Sequence, residues 1–327
     1  MVELNNSGLS SDEREPQQSP RRDEDGIAAL SADPDAGLHC EPAHDRVTRQ
    51  HVFPYEELDT YLDAANGVVW NYMKPSGLGC YSPTLLSELR QMQYDVHRYY
   101  KTESARSAQP FRYFVCGSHI PGVFNLGGDL KLLAQCVRRQ DRAQLRAYGR
   151  LCIDVLYSNY INMDLPIVTM ALVQGTALGG GFEAVMSFDL VVAERSARFG
   201  LPEVLFNLFP GMGAVSLLSR RVGQKCADEI IASGRIYSAE EMHDLGLVDV
   251  VADDGSGRDV LLDLIQQTNR RYNSRRAIFA AYRRSQRLDY DELSDILDIW
   301  VDAALSLTPF DLRKMGRISS AQMRSRP

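Results

Sequence analysis

"VQGTALGGGFEAVMSFDLVVAE", residues 173–194, sets three consecutive glycines, Gly179 to Gly181, directly ahead of Glu183 in an otherwise apolar run. Glycine loses more conformational freedom on folding than any other residue, so a triplet weakens regular structure unless packing or binding compensates. The preceding "PIVTMALVQG" (166–175) is nearly all apolar, as in a strand covered on both faces. After the glycines, "FEAVMSF" suits a short helix and "DLVVAE" another strand.

The same alternation extends outward. Order begins near Tyr55; "ANGVVWNYM" (65–73) has strand content, "SPTLLSELRQMQYDVHRYY" (82–100) has helical spacing, and "FRYFVCGS" (111–118) returns to a strand. A helical stretch then places Leu132, Leu133, Cys136, Val137, Leu145, Tyr148, Leu151, Cys152, Val155 and Leu156 on one broad apolar stripe. Strands alternating with helices predict an α/β fold. From Gly211 helices dominate, broken by a short strand in "LVDVVA", and 257–327 reads as long helices, including 289–307. Pro210 stands just before the first of them, where a missing N–H costs nothing.

Composition sets the broad class. With 327 residues, 44% hydrophobic and 24% charged, the chain reads as a soluble globular protein with a sizeable core. No apolar run approaches the roughly 18 to 20 residues of a membrane span. The first residues lack both the basic start and the apolar segment of a secretory signal, so a cytoplasmic protein is expected. Six cysteines without a C-x-x-C pair argue for reduced thiols. His39, Cys40, His44 and His51 are close in sequence but lie among Asp, Pro and Ala and read as incidental, so neither metal nor other cofactor is expected. Residues 1–47 hold 11 Asp or Glu and 4 Arg, a net of −7 that equals the formal charge of the whole chain. Few of them are aromatic or β-branched, and residues 1–50 read as a disordered acidic leader.

Two glycine segments bear on chemistry. In "FNLGGDLKLL" (124–133), Gly127 and Gly128 precede Asp129 and an apolar helix start; in the opening stretch, Gly179 to Gly181 follow a buried strand. The first turn of a helix leaves about four N–H donors unpaired, and two such donors converging on one oxygen make an oxyanion hole. "GTALGGGFE" lacks the Lys-Ser/Thr of a phosphate-binding loop, and neither segment fits a dinucleotide fingerprint. Glu183 and Glu203, the latter in "RFGLPEVLFNLFPGMG" (198–213), both sit among apolar neighbours. Carboxyls buried side by side hold their protons more tightly and can divide acid and base duties near neutral pH. Taken singly, each glutamate reads equally well as a salt-bridged structural residue, and each glycine cluster as a site of close packing.

"FNLGGDL", "VQGTALGGGFEAVMSFDLVVAE", "FGLPEVLFNLFPGMGAVSLLSRRVG" and "IIASGRIYSAEEMHDLGLVDVV" together resemble the successive signatures of the enoyl-CoA hydratase/isomerase, or crotonase, superfamily, over roughly residues 60–255. The resemblance implies a crotonase-type ββα spiral core over 51–255 and a C-terminal helical region over 256–327 that serves trimerisation and the substrate pocket. It assigns the oxyanion donors to Gly128 and Gly180, flanked by Gly127 and Gly179 at the substrate, and the catalytic carboxyls to Glu183 and Glu203. Such a pair implies adding or removing water across the Cα–Cβ bond of an acyl thioester.

The C-terminal "RRYNSRRAIFAAYRRSQRLDYDELSDILDIWVDAALSLTPFDLRKMGRISSAQMR" has no counterpart of the usual hydratase ending. It is similar to the diffusible signal factor synthases of the RpfF type, a similarity running from about Tyr55 to Arg324. That resemblance implies dehydration of a 3-hydroxyacyl chain on acyl carrier protein and hydrolysis to a free cis-2-unsaturated fatty acid used as a quorum signal. It makes Leu178, Met212 and Trp300 candidates to line an acyl pocket, and implies a homotrimer or hexamer. Two other readings stand beside it: a plain hydratase of CoA thioesters, and a crotonase-fold protein that binds a sensor's receiver domain. Arg270, Arg271, Arg275, Arg276, Arg283, Arg284 and Arg287 form a dense basic stretch. Beside the active-site mouth it would steer the acidic carrier protein; elsewhere it is a solvated helix face. Negative net charge and the lack of a recognition motif argue against nucleic acid.

Overall fold

The computed structural model describes residues 49–77, 79–104 and 109–324. The acidic leader up to residue 48, with His39, Cys40 and His44, lies outside the described residues. The chain opens with strands β1 (Arg49–Pro54), β2 (Leu58–Asp63) and β3 (Val68–Met73), then helix α1 (Pro83–Glu103), β4 (Tyr113–Ser118) and β5 (Val123–Asn125). Helices α2 (Leu130–Arg139) and α3 (Arg142–Tyr160) lead to β6 (Val168–Val173), β7 (Thr176–Leu178), α4 (Gly180–Val185), β8 (Leu190–Glu194) and β9 (Arg198–Gly200). A 3₁₀ turn (Pro202–Phe206) precedes α5 (Ala214–Val222), α6 (Gln224–Ser233), β10 (Ile236–Ser238), α7 (Ala239–Asp244) and β11 (Val250–Ala252). Helices α8 (Gly257–Asn269), α9 (Tyr272–Ser285), α10 (Tyr290–Leu305) and α11 (Pro309–Arg324) complete the described chain.

Seven strands form one sheet in the order β1-β2-β3-β4-β6-β8-β11, and four form a second in the order β10-β9-β7-β5. The first three strands pair antiparallel, and β3, β4, β6, β8 and β11 run parallel. Residue alternation gives the large sheet two buried faces. Val68, Trp70, Tyr113, Val115, Val168, Met170 and Leu172 face Leu261 and Ile265 of α8 and Tyr272 and Phe279 of α9. Val69, Phe114, Cys116, Ala171 and Val173 belong to the other core, with α1, α3 and the small sheet. This double cover explains the apolar run at 166–175.

Three parallel strands each continue, after a short turn, as a strand of the small sheet: β4 into β5, β6 into β7, and β8 into β9. The turns must pass close together. A Cβ on Gly175 would fall 2.2 Å from the Gly122 carbonyl carbon and 2.4 Å from Val123 N, so only glycine allows this crossing.

Three local readings are corrected. Strand β1 begins inside the segment assigned to the disordered leader, because β2 supplies it with an antiparallel partner. The single stripe from 132 to 156 is two helices, broken where Gln140 takes a left-handed conformation (φ 53°) and Asp141 caps α3 through Gln144 N. Pro210 does not start a helix; α5 begins at Ala214, after a turn whose N–H groups have another use. Among the described residues, no helix is long and apolar enough to cross a membrane.

Gly175→Ala should lower stability by roughly 1–3 kcal/mol, the usual cost of forced overpacking, read as a lower urea midpoint. Gly316→Ala in α11, where a Cβ meets nothing within 4 Å, should instead raise the midpoint slightly, by about 0.5–1 kcal/mol of helix propensity.

Candidate active site

Strands β9, β7 and β5 are neighbours in the small sheet, and the turns leaving their C-terminal ends converge. Gly128 comes after β5, Gly180 and Glu183 come after β7 in the first turn of α4, and Glu203 comes after β9 in the 3₁₀ turn. All four line one cavity of about 60 Å³. The carboxyl ends of parallel strands are where α/β sheets commonly bind ligands.

The two glycine turns touch. Gly127 has φ +91°, and a Cβ there would stand 2.8 Å from Leu178 O and 3.0 Å from Gly180 N. Gly127 N–H donates to Asn125 Oδ1 at 2.8 Å, and Asp129 N–H to Tyr148 Oη at 2.8 Å. Gly128 lies between these anchored amides, and Gly180 is the first residue of α4, whose first-turn amides have no intrahelical acceptor. Gly181 is closed in by Asn125, whose carbonyl oxygen would lie 2.1 Å from an added Cβ. The triplet therefore answers a packing demand on every side.

Glu183 is 1% exposed. Its Oε1 accepts Met212 N–H at 2.8 Å and Ala214 N–H at 2.9 Å, the free amides where α5 begins. Bonds of this charge-assisted kind are worth on the order of 1.5–3 kcal/mol each. Burial pushes the Glu183 carboxyl up to about 7, against the pull of the Ala214, Met212 and Gly213 amides. Glu203 as a residue keeps some exposure, but its Oε2 is sealed from solvent and has no hydrogen-bond partner among the described residues. Burial, and then the neighbouring Glu183, push its carboxyl up to about 8. Room for Glu203 comes from Gly179 (φ +50°), where a Cβ would sit 2.5 Å from Glu203 Oε1. The unpaired buried oxygen and the Glu183 carboxyl beside it both favour the protonated form of Glu203.

The remaining wall is mostly apolar: Leu130, Leu133, Cys152, Phe206, Leu208, Met212, Leu297 and Trp300, with Tyr148. Met212 lies over Gly180, its Sδ 2.4 Å from where a Cβ would be, and Trp300 lies against Gly211 in the same way at 2.3 Å. Of the residues expected at the substrate, Gly128, Gly180, Glu183, Glu203, Met212 and Trp300 line the cavity. Gly127 and Gly179 shape it through the backbone, and Leu178 is a buried residue of β7 that does not border it. Leu133, Tyr148 and Cys152 border it although they read in sequence as part of a helical apolar stripe, and Leu297 borders it from α10. The i, i+4 spacing of Tyr148 and Cys152 around the small Gly149 was the available signal. Helix α10 reaches the cavity because Leu297 packs on Gly149 of α3, while Arg146 forks onto Asp298 at 2.6 and 3.1 Å and Arg142 pairs with Asp302.

The basic stretch is not at this mouth. Helix α9 lies at the opposite, N-terminal ends of the parallel strands, where Tyr272 Oη donates to Arg112 O and Pro166 O just before β4 and β6, and Arg283 pairs with Asp189 just before β8. Arg275 stacks on Phe279 and Arg287 pairs with Asp289. Of the two readings of these arginines, carrier steering at the active-site mouth and a helix face elsewhere, their position fits the second, because the packing of Tyr272 and Phe279 commits α9 to the far side of the sheet.

Residues 101–311 match the family model of enoyl-CoA hydratase/isomerase, and the chain belongs to that family. It is 32% identical over 167 residues to the probable mitochondrial enoyl-CoA hydratase 2 of Arabidopsis thaliana, covering 51% of this chain and 53% of that protein. It is 30% identical over 157 residues to the mitochondrial methylglutaconyl-CoA hydratase of Mus musculus, covering 48% of each. The chain thus spans about half the length of these curated relatives. Among solved structures it is similar in fold to Pseudomonas aeruginosa DspI (TM-score 0.61, 24% identity, 73% of this chain and 92% of that one). It is similar also to the enoyl-CoA hydratase of Bacillus halodurans (TM-score 0.67, 19% identity, 80% and 99%). The α/β class and crotonase-type core expected from the sequence are the ones observed.

Because the folded Glu203 carboxyl holds its proton up to about 8, well above an unfolded glutamate, its favourable contribution is complete below about pH 4 and is lost as pH rises through 8. Glu203→Gln, which carries no such charge, should therefore gain Tm relative to the wild type between about pH 5 and pH 9, measured by calorimetry. Parallel Tm curves for the two proteins would contradict the burial of this carboxyl.

Proposed function

We propose that this protein dehydrates a 3-hydroxyacyl chain carried on acyl carrier protein and then hydrolyses the thioester, releasing a cis-2-unsaturated fatty acid of the diffusible signal factor type. The observation that carries the reading is one apolar cavity holding two buried carboxyls of raised proton affinity beside the Gly128 and Gly180 amides.

The Gly128 and Gly180 N–H groups hold the thioester oxygen, so the negative charge that develops there has donors already in place. Held in this way, the carbonyl acidifies the α-hydrogen. A carboxylate of the pair takes that proton, and the carboxylic acid of the pair protonates the β-hydroxyl, which departs as water and leaves the C2–C3 double bond. Glu183, fixed by two amides, carries the charge in the resting pair, and Glu203 carries the proton. In the second step water adds to the carbonyl carbon, the same amides hold the tetrahedral oxyanion, and the C–S bond breaks as the carrier thiol leaves with a proton. Met212, Trp300, Leu133 and Leu297 supply the apolar wall for the acyl chain.

The similarity of the C-terminal region to the signal factor synthases supports the second step, as it supports a homotrimer or hexamer. The names of the curated relatives favour a plain hydratase instead, which would use the same four residues and release no free acid.

Purified protein given 3-hydroxydodecanoyl carrier protein should yield cis-2-dodecenoic acid by mass spectrometry; product found only as thioester, or only as the trans isomer, selects the plain hydratase. Glu183→Ala and Glu203→Ala should each lower turnover by at least about 10², the usual scale of acid–base catalysis, with near-wild-type circular dichroism. Since the active form of the pair keeps one proton, kcat/KM should trace a narrow bell, rising as one carboxyl ionises near 7 and falling as the second does near 8.

A further inference from the structure

We propose that Tyr148 is the positioning residue for the Gly128 amide, an inference that rests on the oxyanion reading above. Four consecutive residues make the turn, Leu126 to Asp129. Leu126 N–H donates to Gly79 O at 2.8 Å, Gly127 N–H to Asn125 Oδ1 at 2.8 Å and Asp129 N–H to Tyr148 Oη at 2.8 Å. Gly128 N–H stands among these anchored amides in a residue that lines the cavity.

Its direction is set by the peptide plane. In a trans peptide the C=O and the following N–H point opposite ways. Gly127 O is held by Tyr81 N–H at 2.7 Å, so Gly128 N–H is aimed away from Tyr81. Tyr148 locks that arrangement from the other side, because its hydroxyl accepts from Asp129 N–H and donates to Tyr81 O at 2.7 Å. One oxygen thus ties the plane after Gly128 to the residue that grips the plane before it. Burial pushes the Tyr148 phenol up, so its hydroxyl keeps the proton it donates to Tyr81 O. Tyr148 lies alongside the turn, its Oη 3.4 Å from where a Gly128 Cβ would stand.

Tyr148→Phe keeps the ring and removes the bridge. It should lower kcat about tenfold to 10²-fold, less than the loss of a whole oxyanion donor, while KM for 3-hydroxydodecanoyl carrier protein stays within about twofold and the pH profile is unmoved. Infrared spectra of carbonyl-labelled dodecanoyl carrier protein supply the readout that a merely structural role would not move. Bound to wild type, the thioester carbonyl should shift to lower frequency, and on Tyr148→Phe it should lose much of that shift. Should Tyr148→Phe not fold, 3,5-difluorotyrosine at position 148, a weaker acceptor of the same shape, should give an intermediate frequency. A variant with wild-type kcat, or with lowered kcat and an unchanged carbonyl shift, overturns the proposal and leaves the oxyanion reading standing. No shift on the wild type itself overturns both.

Discussion

A carboxyl cannot be sealed from water without either donors to hold its charge or a proton to remove it, and Glu183 is given donors. The two amides that reach its Oε1 belong to Met212 and Ala214, so this interaction dictates where the chain runs after Glu203. It ends the turn after Pro210, starts α5 at Ala214, lays Met212 over Gly180 and presents Gly211 to Trp300. The start of α5, the placing of Met212 and the orientation of the carboxyl are thus coupled through one desolvated oxygen. Glu203, left without such donors on Oε2, has its carboxyl pushed up by burial and by the neighbouring Glu183, toward the protonated form.

The frame that makes this possible is the bend of three parallel strands from the large sheet into the small one. Each bend delivers a short strand whose C-terminal end carries part of the site, and the strand order β9-β7-β5 sets Glu203, Gly180 with Glu183, and Gly128 side by side. Glycines at 127, 175 and 181 permit backbone approaches that a Cβ would block, and Gly179 leaves room for the Glu203 carboxyl. Helix α10 closes the apolar side through Leu297 and Trp300, fastened to α3 by Gly149 and by exposed Arg–Asp pairs. Exposed pairs of this kind add little to stability, so the packing of Leu297 on Gly149 is the stronger tie.

Much of this was legible in the order of residues. The apolar run at 166–175, the glycines at 127–128 and 179–181, and glutamates among apolar neighbours are local signals, since burial on two faces, tight turns and helix starts each leave a mark within a few positions. The α/β alternation and the short helix after the triplet came from that periodicity. The short strands β5, β7, β9 and β10 escaped it, because they exist only by pairing with partners distant in sequence.

What the sequence determined by itself is therefore the set of chemical parts: two glycine turns able to offer amides, two carboxyls bound for the interior, and a family frame to hold them. Only the tertiary structure decided which parts meet. It gave Glu183 the Met212 and Ala214 amides, drew Tyr148 out of a helix core stripe to the Gly127–Gly128 turn, left Leu178 off the cavity, and sent the arginines of α9 to the far end of the sheet. The physical reason is that hydrogen bonds and desolvation depend on distances of a few ångströms between residues tens of positions apart, and no local pattern of residue types encodes those distances.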